Sequence, residues 1–114
     1  MAKSDSVLGE FEVLLILAVL HLTESGSEAF GSSIRAEIEA RSGRPAPRGS
    51  IYVTLDRLED KGLLQSKEGS ATADRGHRPK RLFTVTSAGL KAVRASVAAV
   101  ARMQRGLDSV LGKF

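Results

Sequence analysis

The chain of 114 residues has no cysteine and no tryptophan, and its aromatic residues are one Tyr and four Phe. Without thiols there can be no disulfide framework and no cysteinyl zinc or iron–sulfur site. The fold must therefore rest on its apolar core, and a reducing compartment suits it. Histidine is nearly as scarce, with only His21 and His77. No phosphate loop, metal-ligand spacing or nucleophile motif occurs, so neither catalysis nor a metal or other cofactor is expected. His21 ends an apolar stretch and reads as a core or boundary imidazole. Long hydrophobic runs are lacking too. Val13 to Leu20 covers eight residues, against about 20 for a membrane span. Asp5, Glu10 and Glu12 precede it where a signal peptide would want bases, and Thr23, Glu24 and Ser25 follow it. The expectation is a soluble, cytoplasmic protein with no membrane partner.

What is present suits one small folded unit: 42% hydrophobic and 26% charged residues. The net charge of +4 is too mild by itself to name a partner, but it is unevenly spread. Met1 to Ile34 carries −4, Arg35 to Val85 carries +4, and Thr86 to Phe114 carries +4. In the middle segment Arg75, Arg78, Lys80 and Arg81 crowd around His77 and Pro79, with no acid after Asp74.

Periodicity supplies the elements. Gly9 to Leu22 reads as a helix buried on most sides, through Phe11, Leu15, Ala18 and Leu22. Phe30, Ile34 and Ile38 mark a short amphipathic second helix, ended by Ser42, Gly43 and Pro45. A third helix runs from Pro47 or Arg48 to about Lys61, with Ile51, Leu55 and Leu58 on one face and Gly62 at its end. Leu63 to Lys67 and Lys80 to Val85 read as the strands of a hairpin with a long basic tip. Thr86 or Ser87 then caps a last helix.

That last helix carries Leu90, Val93, Val97, Val100, Gln104, Leu107, Leu111 and Phe114, at alternating steps of three and four. This two-row stripe suits a coiled-coil seam better than a helix docked on its own domain, and it predicts a homodimer. The other reading is that the stripe packs only on the first helix of its own chain. Roughly 25 residues would span nearly 40 Å, so part should project. Gln104 would fix register, and Gly106 weakens the helix and allows it to bend.

Three helices, a hairpin and a closing helix follow the order of a winged helix-turn-helix. The expected class is mainly α (α+β), with a DNA-binding domain over 1–85, a two-stranded wing, and a long dimerisation helix over 86–114. An α-helix fits the major groove, and a basic hairpin beside it reaches the flanking backbone. Gly49, Ser50 and Thr54 on the third helix allow close approach, and Tyr52 supplies a hydroxyl. Arg57 suits either a phosphate or a base edge, while Arg48 and Arg44 flank the helix and could hold backbone. In the wing, Arg75, His77, Arg78, Lys80 and Arg81 are the expected phosphate contacts.

RGSIYVTLDRLEDKGLL from Arg48 to Leu64, FGSSIRAEIEARSG from Phe30 to Gly43 and LFTVTSAGLKAV from Leu82 to Val93 resemble the PadR family of bacterial transcriptional regulators. The shared features are the aromatic-Gly pair Phe30-Gly31, the segment Gly49-Ser50-Ile51-Tyr52, the run Leu55, Leu58, Gly62, Leu63, and Phe83 followed by Thr86 and Gly89. The resemblance implies that Ser50, Tyr52, Val53 and Thr54 approach DNA, that the wing bases hold backbone, and that the C-terminal helix pairs two protomers in a repressor. Val53 stands where the family commonly has Pro, and Phe30 where it commonly has Tyr. Some members hold flat aromatic ligands between protomers. The low aromatic count shows no such platform here, so no specific effector is predicted. The rival reading, a winged-helix adaptor that binds protein, would want an apolar third-helix face and an uncharged wing.

Overall fold

A computed structural model describes residues 7–71 and 79–112. The first helix, α1 (Glu10–Glu24), is the central element, and its Leu15, Ile16 and Val19 are fully buried. Glu12 starts it by turning back, its Oε1 accepting the Gly9 N–H at 3.0 Å. Beyond the expected end at Leu22 the helix gains one half-turn. The Ser27 N–H then reaches back to the Leu22 carbonyl at 2.8 Å and closes it. His21, expected in the core or at its boundary, is exposed.

Helix α2 (Gly31–Ser42) buries Ile34 and Ile38, and the Ser33 hydroxyl accepts the Phe30 N–H at its start. Helix α3 (Arg48–Asp60) follows Pro47 and turns Ile51, Thr54, Leu55 and Leu58 inward. These four residues fall on one side of a 3.6-residue period, leaving the other side to solvent. The strands β1 (Leu64–Ala71) and β2 (Pro79–Val85) pair antiparallel, with Leu64 opposite Val85 and Ser66 opposite Phe83. Both are longer than the sequence pattern suggests, because the polar stretch Glu68 to Ala71 continues the ladder across an irregularity. Phe83 anchors the sheet: its ring is buried, and its N–H bonds the Ala29 carbonyl at 2.8 Å, just ahead of α2.

Helix α4 (Ser87–Gln104) begins inside this core. The Thr86 hydroxyl accepts the Gly89 N–H at 3.0 Å and donates to the Gly62 carbonyl at 2.7 Å, while the Thr86 N–H bonds the Leu63 carbonyl. One threonine thus caps α4 and ties it to the end of α3. Ala92 and Val93 complete the core cluster. Here the expected seam needs correction: Val93 is 3% exposed, consumed by its own protomer.

A second correction concerns helix length. The expected helix to the C-terminus breaks after Gln104, because Arg105 turns to extended angles and Gly106 adopts φ +87°. A short helix, α5 (Asp108–Leu111), follows the break. Leu107 and Leu111 therefore do not continue a single seam with Val97 and Val100.

Candidate nucleic-acid interface

The exposed side of α3 carries Arg48, Gly49, Ser50, Tyr52, Val53 and Arg57, together with the acids Asp56 and Asp60. Tyr52 and Val53 stand well into solvent, at 41% and 57% exposure. Thr54 is the exception among the expected contacts. At 5% exposure it lies beneath this face, because its position falls on the apolar side of the helix between Ile51 and Leu58. Helix α3 has no side-chain cap, so its first-turn N–H groups remain open to solvent or to an anion.

Tyr52 owes its position to α2. A β-carbon built on Gly31 would lie 2.4 Å from the Tyr52 hydroxyl, so the phenol rests directly over the Gly31 backbone. Two shallow depressions, about 280 and 270 Å³, meet at this ring. One lies between α2 and α3 beside Ser32, Arg35 and Arg48, and the other faces Phe30, Lys80 and Arg81 on the wing side. On the opposite flank of α3, Gly49, Ser50, Val53 and Arg57 border a hollow of about 500 Å³ with Pro45 and Pro47.

Of the expected wing bases, Arg75, His77 and Arg78 lie outside the described residues. Lys80 and Arg81 lie in the first half of β2, toward the tip end of the ladder, where both meet carboxylates of their own chain. Lys80 Nζ is 2.9 Å from Glu28 Oε1 and 4.3 Å from the centre of the Phe30 ring. Arg81 pairs with Asp56 and Glu59 of α3. Arg44 is likewise paired, with Glu10. Among the described residues, Arg48 and Arg57 have no such acid.

Sequence reasoning missed these pairings. Glu28 and Lys80 are far apart in the chain and no local pattern joins them. Asp56 and Glu59, however, follow Tyr52 on one helical face and could have marked α3 as the wing's electrostatic neighbour.

Helix α4 carries an exposed apolar stripe. Leu90, Val97, Val100 and Met103 of α4 are exposed, as are Leu107, Val110 and Leu111 beyond the break. A groove of about 700 Å³ runs between the start of α1 and α4, lined by Val7, Leu8, Val13, Leu14, Val97 and Val100. Gln104 lies at its end. Met103 was not part of the expected seam, since it falls one place before Gln104 in the three-four rhythm. Among the described residues no cluster of His, Asp and Glu could hold a metal ion, and no helix is long and apolar enough to cross a membrane.

A helix held face-out beside an antiparallel hairpin, with a second helix packed behind it, defines a winged helix-turn-helix. The sequence model of the transcriptional regulator PadR-like family matches residues 16–95, and the chain belongs to that family. No curated protein matches it. The fold is shared with a PadR family transcriptional regulator from Eggerthella lenta, at 24% identity and a TM-score of 0.62, over 86% of this chain and 83% of that one. A PadR family transcription regulator from Clostridium difficile superposes at TM-score 0.69 with 17% identity, over 91% of this chain and 100% of that one. A PadR-like regulator from Bacillus cereus gives 0.66 with 16% identity, covering 90% and 94%. The expected fold class and family are thus both borne out.

Proposed function

We infer that this transcriptional regulator is a cytoplasmic, homodimeric repressor that binds double-stranded DNA by sequence and acts by occupancy, not catalysis. The observation that carries the reading is the outward face of α3, where Tyr52 and Val53 stand exposed between Arg48 and Arg57, cations with no acidic partner among the described residues. In this reading α3 enters the major groove, with Gly49 and Ser50 letting its first turn approach the duplex. Ser50, Tyr52 and Val53 meet base edges or the adjoining sugar-phosphate. Arg48 and Arg57 hold the strands on either side, and Arg75, His77 and Arg78 of the wing follow the backbone. Thr54 acts from below by fixing the helix's rotation.

The exposed apolar stripe of α4 and the groove beside it support pairing of two copies, through Leu90, Val97, Val100 and Gln104, with Leu107 and Leu111 beyond the bend. A two-fold pair would present its α3 helices to an inverted repeat with centres about 34 Å apart, or a multiple of that. Selection of bound duplexes from a random pool tests sequence, symmetry and spacing together. The expected product is a palindromic consensus. Recovery of nothing above background, or of a single short asymmetric motif, would refute the repressor or the pair respectively.

A further inference from the structure

The first half of β2 carries positive charge that the chain itself neutralises, and the manner of neutralisation ties the hairpin to α3. Arg81 projects from β2 and forks. Its Nη1 donates to Asp56 Oδ1 at 3.4 Å, and its Nη2 donates to Glu59 and to Ser66 Oγ, the latter at 3.4 Å. The other Glu59 oxygen accepts the Ser66 hydroxyl at 2.7 Å. The guanidinium also lies 5.0 Å from the centre of the buried Phe83 ring. One cation is thus shared among α3, β1 and β2.

Asp56 and Glu59 are four and seven residues beyond Tyr52, on the same face of α3. Left alone, two carboxylates on that stripe would repel phosphate. A single exposed ion pair contributes little to structure, but a guanidinium bonded to two carboxylates and a hydroxyl is a network, and only arginine has the planar fork to make it.

We propose that Arg81 is a positioning residue for DNA recognition: it fixes the angle between the wing and α3, and so selects duplexes that both can engage at once. It does not itself hold phosphate. This rests on the DNA-binding reading above. If Arg81 held phosphate, Asp56 and Glu59 would compete with DNA for it, and removing a carboxylate would tighten binding to every duplex. As a strut, it needs those carboxylates, and removing one loosens the wing and blurs selectivity.

The test compares the wild type with Arg81→Lys, Arg81→Ala, Glu59→Gln and the double variant R81A/E59Q. The probes are a duplex selected by the wild type from a random pool and a scrambled duplex, titrated over a salt series. The Arg81 side chain is 47% exposed, so these variants should fold, and circular dichroism checks that they do. Lysine keeps the charge and loses the fork. The expected result is that Arg81→Lys and Glu59→Gln each lower the selected-to-scrambled affinity ratio by about five-fold, the scale of a networked ion pair. The salt slope should stay unchanged, and the double variant should be no worse than Arg81→Ala alone. The proposal is overturned if Arg81→Lys keeps the ratio, or if Glu59→Gln tightens both duplexes with the ratio intact. It is also overturned if Arg81→Ala flattens the slope by about 0.9, one phosphate contact. Should the wild type retain no duplex, the DNA-binding reading fails and this falls with it. Should the wild type select a duplex and the variants match it, only the strut fails.

Discussion

At the scale of single residues, two glycines show how one substitution can separate recognition from folding. Gly31 and Gly89 both leave no room for a β-carbon, but the obstacles differ in kind. At Gly31 the obstacle is the tip of Tyr52, a half-exposed side chain that can swing aside. At Gly89 it is the Leu63 carbonyl oxygen, 2.1 Å from the position a β-carbon would take, held by the Thr86 N–H. Gly31→Ala should therefore leave the urea midpoint nearly unchanged and weaken DNA binding, because Tyr52 loses its seat. Gly89→Ala should force α4 away from the end of α3 and cost about 1–3 kcal/mol in the same urea titration, as overpacking does. Both glycines were visible in the sequence, as the partner of Phe30 and as the last position of Thr86-Ser-Ala-Gly89. Their reasons were not, because each is set by a residue distant in the chain. The same limit hid the burial of Thr54: a polar residue inside α3 looks outward by chemistry and inward only by helical angle.

At the scale of elements, what sequence periodicity conveys is which residues share a face, and for α1, α2 and α3 that placed the apolar core residues, though not the polar His21 and Thr54. It failed at α4, where the three-four rhythm, polar only at Gln104, runs on through Gly106 while the helix does not. Counting side chains at three and four cannot register a residue at φ +87°, which glycine adopts freely and alanine only with strain of roughly 1–2 kcal/mol. Gly106→Ala sets that strain against a helix-propensity gain of about 1 kcal/mol on continuing α4. The two should combine to straighten the bend, so that α4 and α5 fuse. The expected reading is a gain in helical far-UV signal with the thermal midpoint shifted by only a few degrees. An unchanged spectrum would mean that contacts of α5, not Gly106, impose the bend. The hairpin makes the complementary point. Its existence was legible from alternation at Phe83 and Val85, but its full length was not, since Glu68 to Ala71 has no apolar residue large enough to signal a strand.

At the scale of the whole molecule, the proposed function divides the work between the outward face of α3 and the apolar stripe of α4, and one substitution tests whether the two are coupled. In the proposed function each protomer brings four cations to the duplex: Arg48 and Arg57 on α3, which have no acidic partner among the described residues, and Arg75 and Arg78, which lie outside them. The apolar side holds Val97 and Val100 in the groove beside α1. Val97→Asp would place a carboxylate on each copy at the pairing surface, where burial makes an unpaired charge costly. Val97 is 45% exposed in the single protomer, so the change should spare the fold. Light scattering should then report half the mass. Each phosphate contact contributes about −0.9 to the log–log salt slope, so a pair using four cations per protomer should show roughly −7 and a lone protomer roughly −3.6. The substituted protein should follow the shallower line even on the full palindrome and bind a half-site as the wild-type protomer does. A halved mass with the steep slope retained would mean that DNA itself assembles the pair, and that the apolar stripe serves another purpose than holding it together.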